Sequence, residues 1–79
     1  MNKKGKTSIQ LFVSQKVYEL RINLNLTQEQ FAERINCSRS FYADRENLNS
    51  ADAFNLDAIN KIAKEFNISP QYFIPPKAL

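Results

Sequence analysis

Three times this chain places an asparagine, then an apolar residue, then a serine or threonine: Asn25-Leu26-Thr27, Asn36-Cys37-Ser38 and Asn67-Ile68-Ser69. Asparagine is, after glycine, the residue that best tolerates the left-handed backbone just past a helix end, and the apolar residue behind it folds back on that helix. Serine and threonine accept the unpaired N–H groups that begin a helix. Each triplet therefore predicts one helix stopping and another starting with almost no chain between them. This is how so turn-rich a chain manages with a single glycine, Gly5.

The apolar residues between these signals have helical spacing. Ile9, Val13, Val17, Leu20 and Leu24 recur at steps of four, four, three and four, which predicts a first helix with Ser8 as its N-cap. Thr27, with Gln30 in the capping-box position, starts a second helix from Gln28 to about Ile35, with Phe31, Ala32 and Ile35 as its inner stripe. Ser38 starts a third, Arg39 to about Glu46. Asn47 to Phe54 is too polar to continue it and is the one real loop. Asn55 caps a fourth helix carrying Leu56, Ile59, Ile62, Ala63 and Phe66. Ser69-Pro70 opens a short fifth through Tyr72 and Phe73, which Pro75-Pro76 stops. The expected fold is all-α: a compact five-helix domain over residues 8–79, preceded by a flexible basic arm at 1–7.

Composition narrows the function. At 79 residues there is length for one small domain. With one Cys and no His, neither a disulfide nor the ligand set of a structural zinc site can be assembled, so stability rests on packing. Lack of His also removes the usual general base near neutral pH, and a single Gly excludes a Gly-rich phosphate loop. No enzyme, metal or cofactor is expected. Apolar runs such as Leu11-Phe12-Val13 fall far short of the roughly 20 residues that span a bilayer, so no membrane partner is expected. An unpaired thiol without an export signal points to the cytoplasm.

The net charge of +3 comes from the start of the chain. Lys3, Lys4 and Lys6 lie within the first seven residues, and the other eight basic residues are matched by eight acidic ones. Such an arm can lie along an anionic polymer, or it can be a solvated terminus.

The run from Leu26 to Ser40, Leu-Thr-Gln-Glu-Gln-Phe-Ala-Glu-Arg-Ile-Asn-Cys-Ser-Arg-Ser, closely resembles the L-T-Q-E-x-L-A-x-x-L-G-V-S-x-x motif of lambda-repressor-like, Xre/Cro-type helix-turn-helix DNA-binding domains. Val17, Leu20 and Arg21 resemble that family's I-x-x-L-R, Glu46 the acidic residue closing its recognition helix, and Asn55 through Phe73 its last two helices. The resemblance covers roughly residues 10–74. It implies that the third helix enters the major groove of double-stranded DNA while the start of the second meets the backbone.

Carried over residue by residue, the resemblance makes Gln28 a phosphate contact at a helix N-terminus. Ser38, Arg39, Ser40, Ala43 and Asp44 then form the exposed face of the third helix, with Asn47 at its end. Arg39 is the foremost base reader, able to pair bidentately with guanine, or it is a phosphate contact. Ser40 and Asp44 read bases or face solvent, Ala43 meets a thymine methyl, and Asn47 touches phosphate or merely opens the loop. Arg21 and Glu46 are expected as an inward ion pair orienting the third helix. Two positions depart from the pattern. Tyr42 stands where the family has Ile or Val, and Arg45 where it has an aliphatic residue. Arg45 must reach outward, compete for Glu46, or mark a rotated helix packed on Phe41 and Tyr42. Cys37 is read as a small hydrophobe in the turn.

The expected function is sequence-specific binding of double-stranded DNA as a homodimeric regulator, a repressor on an inverted-repeat operator, with Tyr72, Phe73 and Ile74 at the dimer interface and Leu79 beside them. The alternative is a protein-interaction or antitoxin-like accessory module on the same scaffold.

Overall fold

In the computed structural model, which describes residues 5–79, the first helix α1 spans Ser8–Asn23. Its N-cap is Thr7, one residue before the expected Ser8. The reason is local. Thr7 Oγ1 accepts the Gln10 N–H while Gln10 Oε1 accepts the Thr7 N–H, and Ser8 would have Leu11 in the reciprocal position. Thr27 and Gln30 form the same box at the start of α2 (Gln28–Arg34). Ser38 Oγ caps α3 (Arg39–Glu46) through the Phe41 N–H, and Asn55 Oδ1 caps α4 (Leu56–Glu65) through the Ala58 N–H.

The three asparagines occupy the left-handed region, with φ of 58° at Asn25, 66° at Asn36 and 55° at Asn67. Behind each, the apolar residue's N–H closes a long ring back into the helix: Leu26 to Arg21 O, Cys37 to Ala32 O and Ile68 to Ala63 O, at 3.2, 3.0 and 2.9 Å. These are Schellman closures, completed by the asparagine N–H one ring inside, and they end α1, α2 and α4. Helix α3 ends differently: its C-cap Asn47 is extended, with φ of −68° and ψ of 118°.

The expected fifth helix is a single 3-10 turn, Pro70–Phe73, so the described residues hold four α-helices rather than five. Proline disfavours helical backbone in the residue before it, and Ile74, which precedes Pro75, is extended. Only four residues fit between Ser69 and that stop. No helix among the described residues is long and apolar enough to cross a membrane.

Val13, Val17 and Leu20 of α1, Phe31, Ala32 and Ile35 of α2 and its cap, Tyr42 of α3, Phe54 of the loop, Ile59, Ile62 and Ala63 of α4, and Phe73 of the terminal turn form one core. Phe31 is its hub, with ring centroids 4.9 Å from Tyr42 and 5.0 Å from Phe66. The helical stripes lose their outermost members. Ile9 and Leu56 in first turns and Leu24 at a cap are exposed. Helix α3 packs against both α1 and α2, and the terminal turn packs against α1 and α4.

Candidate nucleic-acid interface

Helix α3 is locked by its last residue. The Glu46 carboxylate is buried between α1, α2 and its own helix and accepts four hydrogen bonds, two on each oxygen. Arg21 grips it with two prongs, Nε to Oε2 at 2.8 Å and Nη2 to Oε1 at 3.1 Å. Gln28 Nε2 donates to Oε1 at 2.8 Å and the Tyr42 hydroxyl to Oε2 at 2.5 Å. Burial by itself would raise the Glu46 pKa, but the bonds from Arg21, Tyr42 and Gln28 outweigh it and hold the carboxyl below its ordinary value. Hydrogen bonding to Glu46 raises Arg21. Burial, then the bond to Glu46, pushes Tyr42 far up. Arg21 also returns Nη1 to Leu26 O, at 2.9 Å, tying the network to the turn before α2.

With Tyr42 and Glu46 turned inward, α3 presents its remaining polar side chains to solvent. Arg39, Ser40 and Asp44 are exposed there, Ala43 is half-buried, and Asn47 is exposed at the helix end. Arg39 takes no part in the ion pairs among the described residues, which are Lys16–Glu19, Arg21–Glu46 and Arg34–Glu65. The Ser38 oxygen is occupied as the N-cap. Asn47 Oδ1 accepts the Asn49 N–H, an Asx turn that leaves its amide group to donate. Gln28 sits half-buried at the start of α2, with its amide nitrogen committed to Glu46.

The expectation of a free basic segment at 1–7 does not describe Lys6. Its side chain is buried, and Nζ lies against three backbone carbonyls: Asn47 O, Ser50 O at 2.8 Å and Asp44 O at 3.4 Å. An ammonium has three protons to donate, and here they go to the chain itself rather than to a polymer. Burial lowers its pKa. Lys3 and Lys4 lie outside the described residues. Ser14, wholly buried in α1, donates Oγ to Arg45 O at 2.7 Å. Sequence reasoning passed over Ser14, although a hydroxyl beside Val13 on an inward-facing stripe was a signal that a partner waits inside.

The two departures from the motif resolve together. Tyr42 takes the core position and carries its hydroxyl to Glu46, whereas Phe41 stays exposed. Arg45 neither enters the core nor competes for Glu46. Its guanidinium lies 3.5 Å from the Phe41 ring centre, with Nη1 donating to Phe41 O at 3.3 Å. Cys37 is half-buried in the turn, and burial raises its thiol pKa, as suits an inert small hydrophobe.

Of the three residues expected at a dimer interface, Phe73 has no exposed surface and is spent inside its own domain, so it has nothing to give a mate. Tyr72 is half-buried, its ring centre 4.7 Å from Lys16 Nζ. Ile74 and Leu79 are exposed.

Residues 17–73 match a protein-family model described as helix-turn-helix. The span runs from Val17 in α1 to the end of the terminal turn and takes in the whole Glu46 network and the exposed face of α3. No curated protein and no solved structure matches the chain.

Proposed function

Because this chain belongs to the lambda-repressor-like helix-turn-helix family, we propose that it is a cytoplasmic transcriptional regulator that binds double-stranded DNA in a sequence-specific way, as a homodimer on an inverted repeat, and represses by occupying a promoter. The observation that carries this reading is the two-sidedness of α3. Its inward side chains are fixed by a fully bonded buried carboxylate, while Arg39, Ser40 and Asp44 stand exposed beside a half-buried Ala43. A helix whose inner face is immobilised can bring short polar side chains to base edges with little further ordering cost.

Arg39 is the base reader, forking onto guanine O6 and N7. Ser40 and Asp44 read neighbouring edges, and Ala43 meets a thymine methyl. Ser38, Gln28 and Asn47 serve the backbone: the free N–H groups at the start of α2 favour an anion beside Gln28, and the Asn47 amide donates from the far end of α3. Lys3 and Lys4 add nonspecific attraction to phosphate.

Selection of bound duplexes from a random pool tests the reading. An inverted repeat with half-sites about one helical turn apart is the expected result. A pool that returns unenriched overturns it in favour of an accessory module that uses the scaffold for protein contacts.

A further inference from the structure

Of the four helices, α3 alone lacks a left-handed asparagine at its end, and its last carbonyls are instead taken by side chains from the start of the chain. Ala43 O receives the Asn47 N–H at 2.9 Å, Asp44 O and Asn47 O face Lys6 Nζ, and Arg45 O receives Ser14 Oγ. Ser50 O completes the ring around the ammonium, and the Ser50 N–H bonds Asn47 O at 3.1 Å. We infer that Lys6, seconded by Ser14, is a positioning residue for DNA binding: it clamps the end of α3 and the Asn47–Ser50 turn in the place from which Asn47 reaches the backbone. The inference rests on the DNA-binding reading above.

The final turn of any helix exposes carbonyls that need donors, and a left-handed residue normally folds the chain back to supply them. Asn47 is extended, so the chain leaves α3 outward along the loop instead. The donors must then come from elsewhere, and a positive charge at a helix C-terminus also meets the negative end of its dipole. Lys6 reaches these carbonyls across 38 to 44 residues of sequence, which makes the geometry of the loop depend on a residue outside the family-matched span. Burial works against the ammonium, Asp52 and Asp44 favour it and Arg45 opposes it, so its charge sits among the groups of α3 and the loop.

Lys6→Met keeps length and removes the donors. Duplex affinity of the full chain is measured across a salt series for wild type, Lys6→Met, Asn47→Ala and the double variant, with amide hydrogen exchange at Asn47 and Ser50 alongside. The inference expects several-fold weaker binding for Lys6→Met, an unchanged slope of log K against log salt, and faster exchange at both amides. The double variant should bind no more weakly than the worse single one, because both changes disable one contact. A slope reduced by about 0.9 makes Lys6 a phosphate contact and overturns the inference. Additive losses, or full binding with exchange accelerated, overturn it too, since a destabilised but correctly placed loop would produce either. Should Lys6→Met not fold, Ser14→Ala removes one cap alone and is expected to weaken binding with the same unchanged slope; full binding there overturns the inference. Absence of any duplex binding by wild type overturns the DNA-binding reading itself, whereas the exchange at Asn47 and Ser50 still reports whether Lys6 holds the loop.

Discussion

The hydroxyl of Tyr42 lies 2.5 Å from Oε2 of Glu46, one turn further along the same helix, and shares that oxygen with Nε of Arg21. A phenylalanine in this core position would contribute area alone. Tyr42 also supplies one of the four donors that make a buried carboxylate tolerable.

Glu46→Ala is therefore expected to be among the most damaging single changes in the molecule. The Arg21 and Glu46 side chains are only 12% and 6% exposed, and removing one partner of such a pair typically costs about 3–5 kcal/mol. Arg34 and Glu65 stand at the same 2.8 Å, but at 48% and 35% exposure, where pairs are worth less than about 1 kcal/mol. Urea midpoints of Glu46→Ala and Glu65→Ala should differ widely. Equal midpoints would mean that burial does not govern these pairs.

The same network gives stability a defined response to acid. Because Glu46 titrates below its ordinary value in the folded protein, the unfolded chain binds the proton more tightly, and the stability contributed is present above that ordinary value. It is lost as pH falls from about 4.3 through the lower folded value. Glu46→Gln, which cannot titrate, should be much less stable than wild type at pH 7 and should close most of the gap by pH 3. A gap that persists at pH 3 would assign the loss to shape rather than charge.

Much of this architecture is legible in the amino-acid order. Helical spacing and cap residues locate all four α-helices to within a residue, because both are local, repeating signals. The Asn25, Asn36 and Asn67 turns are legible for the same reason, each φ being dictated by the asparagine and its two C-terminal neighbours. Features that escaped depend on chain segments far apart. Charge counting groups Lys6 with Lys3 and Lys4, and nothing near it in sequence reports carbonyls some forty residues away. The motif position of Tyr42, where the family has Ile or Val, pointed inward, but that its hydroxyl would meet Glu46 while Phe41 stays exposed depends on how α3 packs against α1 and α2.

On the DNA face, Arg39→Ala should flatten preference at one base pair of the site, since a bidentate guanine contact discriminates by roughly 1–3 kcal/mol. Preference at the other positions should survive. Uniform weakening on every sequence would make Arg39 a phosphate contact.

Deletion of residues 1–4 removes Lys3 and Lys4 and leaves Lys6 in its clamp. If both lysines neutralise phosphates, the slope of log K against log salt should fall by up to about 0.9 for each, with base preference intact. An identical slope after deletion would leave the two lysines no part in binding.

Dimerisation is expected through the apolar surface that the fold leaves uncovered around Ile74, where Ile9 and Leu56 lie on the rim of the same shallow groove. Ile74 is 39% exposed, Ile9 46% and Leu56 76%, and these three, unlike Phe73, have area to give a mate. A stable interface usually buries about 800 Å² on each partner, more than three side chains can supply, so the free protein should associate weakly and tighten on two half-sites. Sedimentation at micromolar concentration, with and without an inverted-repeat duplex, measures this. Ile74→Asp should stay folded, sediment as a monomer, and bind a single half-site as well as wild type does while losing cooperativity on two. An unaltered dimer in that variant would move the two-fold contact to another face of the domain.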